Sequence, residues 1–186
     1  MTQGARRRAS YEDLLAVPET MIAQIIGGEL VTEPRPGLRH ARAASRISNE
    51  LGGPFDRGKG GPGGWLILYE PELHVHDDVL VPDLAGWRRE RMPELPETAA
   101  VDLPPDWVCE VLSPSTQGID RVEKMAIYSR EGVPWVWLVD PSARTLEVFR
   151  LQDGSWTVRA SFRGDGAVRA EPFDAIELEL AALWER

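Results

Sequence analysis

The 186-residue chain is 42% hydrophobic and 27% charged, the make-up of a folded domain rather than of a disordered or fibrous segment. At this length folding buries most of the chain's surface without a disulfide or structural metal, and the lone Cys109 excludes an intrachain disulfide and a Cys-built zinc cage. A formal charge of −9 opposes non-specific attraction to a nucleic-acid backbone, so any nucleic-acid chemistry needs a local basic patch or a metal ion.

The basic start Arg6-Arg7-Arg8 leads into Tyr11-Glu12-Asp13 rather than an apolar signal core, and no apolar stretch nears the roughly 20 residues that cross a bilayer. The expectation is a cytoplasmic protein with no membrane partner, one domain over residues 1–186, and residues 1–10 as a flexible arm. Ser10 three residues before Asp13 predicts the N-cap of a short helix. Ile22–Ile26 and Glu29–Thr32 around Gly27-Gly28 predict a hairpin that opens the fold. From Leu38 to Leu51 apolar residues recur three or four apart, which predicts a helix stopped by Gly52-Gly53-Pro54. Gly58–Gly64 reads as a mobile surface loop.

Trp65–Tyr69, Glu72–His76, Val79–Trp87 and Trp107–Leu112 are predicted as successive strands of one central sheet, with Met92–Pro105 a Pro-rich connection. Asp120 and Glu123 have the spacing of a capping box at the start of a helix that carries Met125 and Tyr128 and stops at Gly132. Pro134–Asp140, Leu146–Leu151 and Trp156–Phe162 are further strands, and Leu178–Trp184 is a closing helix. The fold class is therefore mixed α/β (α+β).

The chemistry concentrates in Val81-Pro82-Asp83-Leu84, Cys109-Glu110-Val111-Leu112-Ser113-Pro114 and Lys124. Burying a carboxylate costs several kcal/mol unless it is paired or bound to a cation, so Asp83 and Glu110 within apolar strands each need a partner. If their strands are neighbours, the two groups can converge on one Mg²⁺ or Mn²⁺, with Lys124 as a cation beside an attacked phosphate.

These motifs resemble the Uma-type restriction-endonuclease family, a branch of the PD-(D/E)XK nuclease superfamily. The likeness runs from about Tyr11 to Val148 and includes Ile25–Leu30, His40, Pro82-Asp83-Leu84, Glu110–Thr116, Asp120 with Lys124 and Tyr128, and Gly132–Pro141. It implies a restriction-endonuclease-like mixed β-sheet flanked by helices, and a Mg²⁺-dependent (or Mn²⁺-dependent) endonuclease, a hydrolase with DNA as substrate. Asp83 and Glu110 are then the metal-binding acids, the carbonyl of Val111 a third ligand, and Asp83, Glu110 and Lys124 the catalytic set.

The chain departs from that pattern at Leu112, where the superfamily's usual lysine stands, which hands the lysine role to Lys124. It departs again at Gln24 and Gly27, where relatives often carry acids. Glu29 or Glu50 would then substitute, and His40 would sit at the mouth of the site. The resemblance also raises a homodimer as the active unit. A second reading stays open: a catalytically silent nuclease-fold module for nucleic-acid or protein binding.

The remaining candidates have plainer roles. His74 and His76 are read as one polar face of a strand, lacking the further ligands zinc needs. Ser113 and Ser115 are read as turn residues, Trp135 and Trp137 as packing, and Arg6–Arg8 as a solvated tail.

Overall fold

In the computed structural model, residues 7–185 are described. Ser10 caps α1 (Tyr11–Leu15) through a reciprocal box: its side chain accepts from Asp13 N–H, and the Asp13 carboxylate accepts from Ser10 N–H at 2.7 Å. Residues 1–6 of the expected arm lie outside the described residues, whereas Ala9 N–H donates to Gly28 O at 2.8 Å and Arg7 pairs with Asp13 at 2.7 Å.

The Ser10 backbone N–H, then the Arg7 guanidinium and the Ser10 hydroxyl, hold the Asp13 carboxyl at about 2, below its usual 3.8. A depressed carboxyl contributes stability that is present above about pH 4 and lost as pH falls through about 2. A carboxyl-carbon NMR titration of Asp13 is expected to show its midpoint near 2, and a midpoint near 4 would mean that the box is open in solution.

The hairpin is β1 (Met21–Ile26) and β2 (Glu29–Pro34), joined through Gly27 and Gly28, both at positive φ. Helix α2 (Leu38–Leu51) buries Ala43, Ala44, Ile47 and Leu51 on one face. It does not stop at Gly52-Gly53-Pro54 as expected. Pro54 lacks an N–H, and the backbone widens into a π-helical turn, Gly52–Asp56, which drives Phe55 into the core. The Gly58–Gly64 segment, expected to be mobile, folds back on this turn: Lys59 N–H and Gly63 N–H donate to Gly53 O and Pro54 O. A Cβ on Gly61 would lie 2.4 Å from Pro54 Cβ, so that approach needs glycine.

Next come β3 (Trp65–Tyr69), β4 (Glu72–Val75), β5 (Asp78–Leu80), β6 (Leu84–Arg88), β7 (Ala100–Val101) and β8 (Trp107–Val111). The stretch Val79–Trp87, read as one strand, is two. Val81-Pro82-Asp83 breaks it because Pro82 has no N–H for a ladder and Val81 N–H is taken by Gln24 Oε1 at 2.9 Å. The two pieces enter different sheets, so the expected run of strands in one central sheet is also corrected.

A π-helical turn (Ile119–Lys124) leads into α3 (Met125–Arg130), then β9 (Trp135–Asp140), β10 (Thr145–Gln152) and β11 (Ser155–Arg163). Short strands β12 (Ala167–Val168) and β13 (Leu178–Glu179) pair with each other, and α4 (Ala181–Trp184) follows, so the closing segment read as one helix begins as strand.

The central sheet has the order β11-β10-β9-β8-β6-β3, and a second sheet has the order β2-β1-β5-β4-β7. Pairs β8/β9 and β4/β7 are parallel and the others antiparallel, which makes both sheets mixed. Burial follows the strand period of two. On β8 and β9, Trp107, Cys109, Val111, Trp137 and Val139 join the core under α2 and α4. Val108, Leu112, Val136 and Leu138 join the core under α3 and the second sheet. Among the described residues no helix is long and apolar enough to cross a membrane.

Candidate active site

Strands β6 and β8 are hydrogen-bonded neighbours whose register pairs Leu84 with Cys109. One step outward, Asp83 stands opposite Glu110, and opposite residues of an antiparallel pair face the same side. Alternation agrees, since Asp83 shares parity with Ala85 and Glu110 with Val108, both in the core under α3. Both acids line one cavity of about 170 Å³, together with Glu33, His40, Asp120 and Lys124.

Asp83 is held from two sides. Its Oδ2 accepts the Val111 N–H at 2.7 Å, and His40 Nε2 lies 3.2 Å from Oδ1. Burial opposes a charge on His40, but the hydrogen bond and charge of Asp83, with Asp120 and Glu70, outweigh it and raise the histidine above its ordinary pKa. His40 Nδ1 is buried with no hydrogen-bond partner among the described residues.

Glu110, 2% exposed, is the centre of a buried network. Lys124 Nζ lies 3.2 Å from both its oxygens and 3.2 Å from Asp120 Oδ1, and Tyr128 O–H donates to Oε1 at 2.5 Å. Asp120 does not cap a helix as its spacing with Glu123 suggested. It sits inside the π-helical turn with its side chain turned inward, four residues before Lys124. The turn brings Lys124 inward, where an ordinary surface lysine would be solvated.

Burial pushes the Glu110 carboxyl up to about 8; Lys124 pulls it down, while Asp120 and Asp83 raise it further. Burial opposes the Lys124 charge, and the three surrounding acids outweigh it, so the ammonium is held well above its usual range. Tyr128 is pushed up by burial and by Glu110, and acts as a donor.

Of the accessory candidates, His40 joins the cavity and Glu29 and Glu50 do not. Glu50 lies ten residues along α2 from His40, about 15 Å of helix rise. Glu29 sits at the hairpin turn beside Arg7 and Arg8. The hairpin acid that does reach the cavity is Glu33, near the far end of β2. Its Oε1 is buried with no hydrogen-bond partner among the described residues, and burial raises its pKa. Alternation on β2 was the available signal: Val31 and Glu33 share a face, and Val31 packs on the core. Gln24 is structural here, its amide oxygen holding the Val81 backbone.

His74 and His76 do not share a strand face. His74 bonds Glu72 at 2.7 Å, whereas His76 turns at φ 54° and lies 3.5 Å from Glu131. Ser113 Oγ bonds both Ser115 Oγ and Thr116 Oγ1 in the turn after β8. Among the described residues, no three His, Cys, Asp or Glu side chains stand together at metal-ligating spacing.

A family profile, Uma2, described as "Putative restriction endonuclease", matches residues 9–182. The chain belongs to the Uma2 family. Among solved structures, this Uma2 chain is similar to "a putative nuclease belonging to DUF820" from Anabaena variabilis, with a TM-score of 0.75 and 22% identity. The match covers 95% of this chain and 97% of that one, and shows that the two share a fold. No curated protein matches. The Uma2 resemblance drawn from the motifs, and the mixed sheet flanked by helices that it implied, are what the profile and the fold show.

Proposed function

We propose that this Uma2 protein is a divalent-metal-dependent phosphodiesterase that cuts DNA, with Asp83 and Glu110 as the metal-binding acids. The observation that carries the reading is the convergence of Asp83, Glu110, Glu33 and Asp120 on one cavity whose basic lining groups are Lys124, His40 and Arg35, the last paired with Glu70 outside it. Four carboxyl groups against Lys124, His40 and an Arg35 already engaged by Glu70 leave negative charge that burial penalises, and Glu33 Oε1 has no hydrogen-bond partner among the described residues. Hard oxygen donors of this kind fit Mg²⁺ or Mn²⁺, which keep several waters and need only one or two protein carboxylates.

When bound, such a cation polarises the phosphodiester and lowers the pKa of an attacking water. The chain's own groups divide the remaining work. The Val111 N–H and His40 fix the Asp83 carboxylate, and the Val111 carbonyl is the third proposed ligand. Tyr128 orients Glu110 by donating to Oε1. Lys124, charged and 3.2 Å from Glu110, supplies the positive charge that stabilises the attacked phosphate, in place of the lysine missing at Leu112.

A second reading is favoured by one observation. Both Glu110 oxygens are already engaged by Lys124, an arrangement that a catalytically silent module would also retain as a buried ion pair. Purified protein incubated with Mg²⁺ or Mn²⁺ on supercoiled plasmid and on single-stranded DNA, beside Glu110→Ala, separates the two. Cutting by the native chain alone is expected. Equal residual cutting by both proteins would point to a contaminant and remove the nuclease reading.

A further inference from the structure

A second cavity, about 420 Å³, lies between the start of α2, the turn after β9 and α4. Among the described residues its charged lining is three arginines, Arg39, Arg42 and Arg144, against Glu185. In a chain of net charge −9 this is a local reversal of sign. Arg42 Nε is buried with no hydrogen-bond partner, and neither Arg39 nor Arg42 has an ion-pair partner among the described residues. The buried, unpartnered Arg42 Nε–H is costly to leave unpaired, whereas Arg39 and Arg144 are exposed; the forked geometry of all three guanidinium groups matches a phosphate.

Helix stability does not account for these positions. Arg39 lies in the first turn of α2, where the helix dipole favours acids, and that turn contains none. The cavity also has an aromatic wall whose orientation is set. Trp184 Nε1 donates to Asp165 Oδ1 at 2.9 Å, and Arg144 reaches the same carboxylate at 3.4 Å, so Asp165 holds two lining groups in place from outside. Leu38, 90% exposed, adds an apolar edge beside the arginines.

The cavity's place relative to the acid site is the third observation. Successive residues of a helix are turned by about 100°, so His40 leaves α2 toward Asp83 on one side while Arg39 and Arg42 leave it on another. A helix with its side chains is about 10–12 Å thick. A nucleic-acid strand advancing about 3.4 Å per nucleotide spans that distance in about three steps.

We propose that this arginine cavity binds a nucleotide phosphate, with Trp184 and Leu38 against its sugar or base. In the form that rests on the nuclease reading, the phosphate belongs to a strand lying across α2, about three nucleotides from the one at Asp83. The same chemistry is met by a free mononucleotide.

The test compares the native chain with Arg39→Gln/Arg42→Gln and, separately, with Arg144→Gln. Glutamine keeps most of the side-chain stem, Arg144 is largely exposed, and circular dichroism checks folding. Fluorescence anisotropy of a labelled 12-nucleotide single strand and duplex is read in EDTA across a salt series, and dTMP binding is read by calorimetry. Mn²⁺ binding is read for each variant by the same method.

A strand ligand predicts at least ~10-fold weaker oligonucleotide binding by the double variant, a salt slope shallower by about 2, and unchanged Mn²⁺ binding. A mononucleotide ligand predicts loss of dTMP binding with oligonucleotide affinity unmoved. Both results support the cavity, and affinities for both ligands that ignore all three arginines overturn it. Because EDTA removes metal and cleavage from the binding assay, failure of the nuclease reading would show instead as no cutting and no Asp83-dependent Mn²⁺ binding.

Discussion

Asp83→Asn is expected to lower Mn²⁺-supported cleavage of plasmid DNA by roughly 1000-fold. It is also expected to abolish the Mn²⁺ binding isotherm while leaving the thermal transition within a few degrees of the native one. The substitution is nearly isosteric, and the asparagine oxygen can still accept the Val111 N–H that the carboxylate accepts at 2.7 Å. What it removes is a charge and an anionic oxygen. Metal activation of a phosphodiester is worth several kcal/mol of transition-state stabilisation, and about 1.4 kcal/mol is tenfold in rate, which sets the size of the loss. Rate and binding have to fall together. Cleavage lost with Mn²⁺ binding intact would move Asp83 out of the metal site, and a collapsed thermal transition would make it a structural group.

Phe173→Ala is expected to destabilise the fold by about 3–5 kcal/mol, a fall in Tm of roughly 10 °C for a chain this size. Phe173 is 2% exposed, and its ring lies 4.7 Å from Phe55, 4.8 Å from Trp65, 4.9 Å from Trp107 and 5.6 Å from Trp137. Three of these four contacts are edge-to-face, the arrangement that aromatic quadrupoles favour. Trp137 Nε1 also donates to Glu171 O at 2.7 Å, which pins the approach of this segment to the sheet. Truncation therefore opens a cavity whose walls are large rings on four different segments, poorly able to collapse inward. Differential scanning calorimetry checks the figure; a shift under 2 °C would mean that the neighbours refill the space.

Neither effect was equally visible from the residues alone. The hairpin could be read from its Gly27-Gly28 turn, α2 from the 3.6 period of Leu38–Leu51, and β3, β8 and the pair β10/β11 as apolar and aromatic runs bounded by turn residues. The proximity of Asp83 and Glu110 could be anticipated because acids in apolar strands need partners. Phe173 could not, because it lies in a segment without regular structure that acquires its role only when β12 and β13 close over the sheet. Two local misreadings share one cause, which is that partners distant in the chain overrode local signals, and a third has a local one. Gln24 splits the Val79–Trp87 run by capturing Val81 N–H. Lys124 and Glu110 draw Asp120 inward, away from a cap. The absent N–H of Pro54 widens a turn instead of ending a helix. Spacing alone does not show how far along β2 the site lies, and so does not distinguish Glu33 from Glu29 or Glu50.

The turn over Ile119–Lys124 is wider than a regular helical one. It accommodates one residue more than a regular helical turn would, and that surplus sets the angular phase at which Asp120 and Lys124 meet Glu110. Deleting any single residue there, even an exposed one such as Val122, would let the segment relax to regular helix. With Val122 gone, Asp120 and Lys124 would stand three residues apart on a regular turn instead of four on a wide one, which changes the angle at which each meets Glu110. The length of this segment is thus under tighter constraint than its composition, and substitutions should be tolerated at positions where an indel would not.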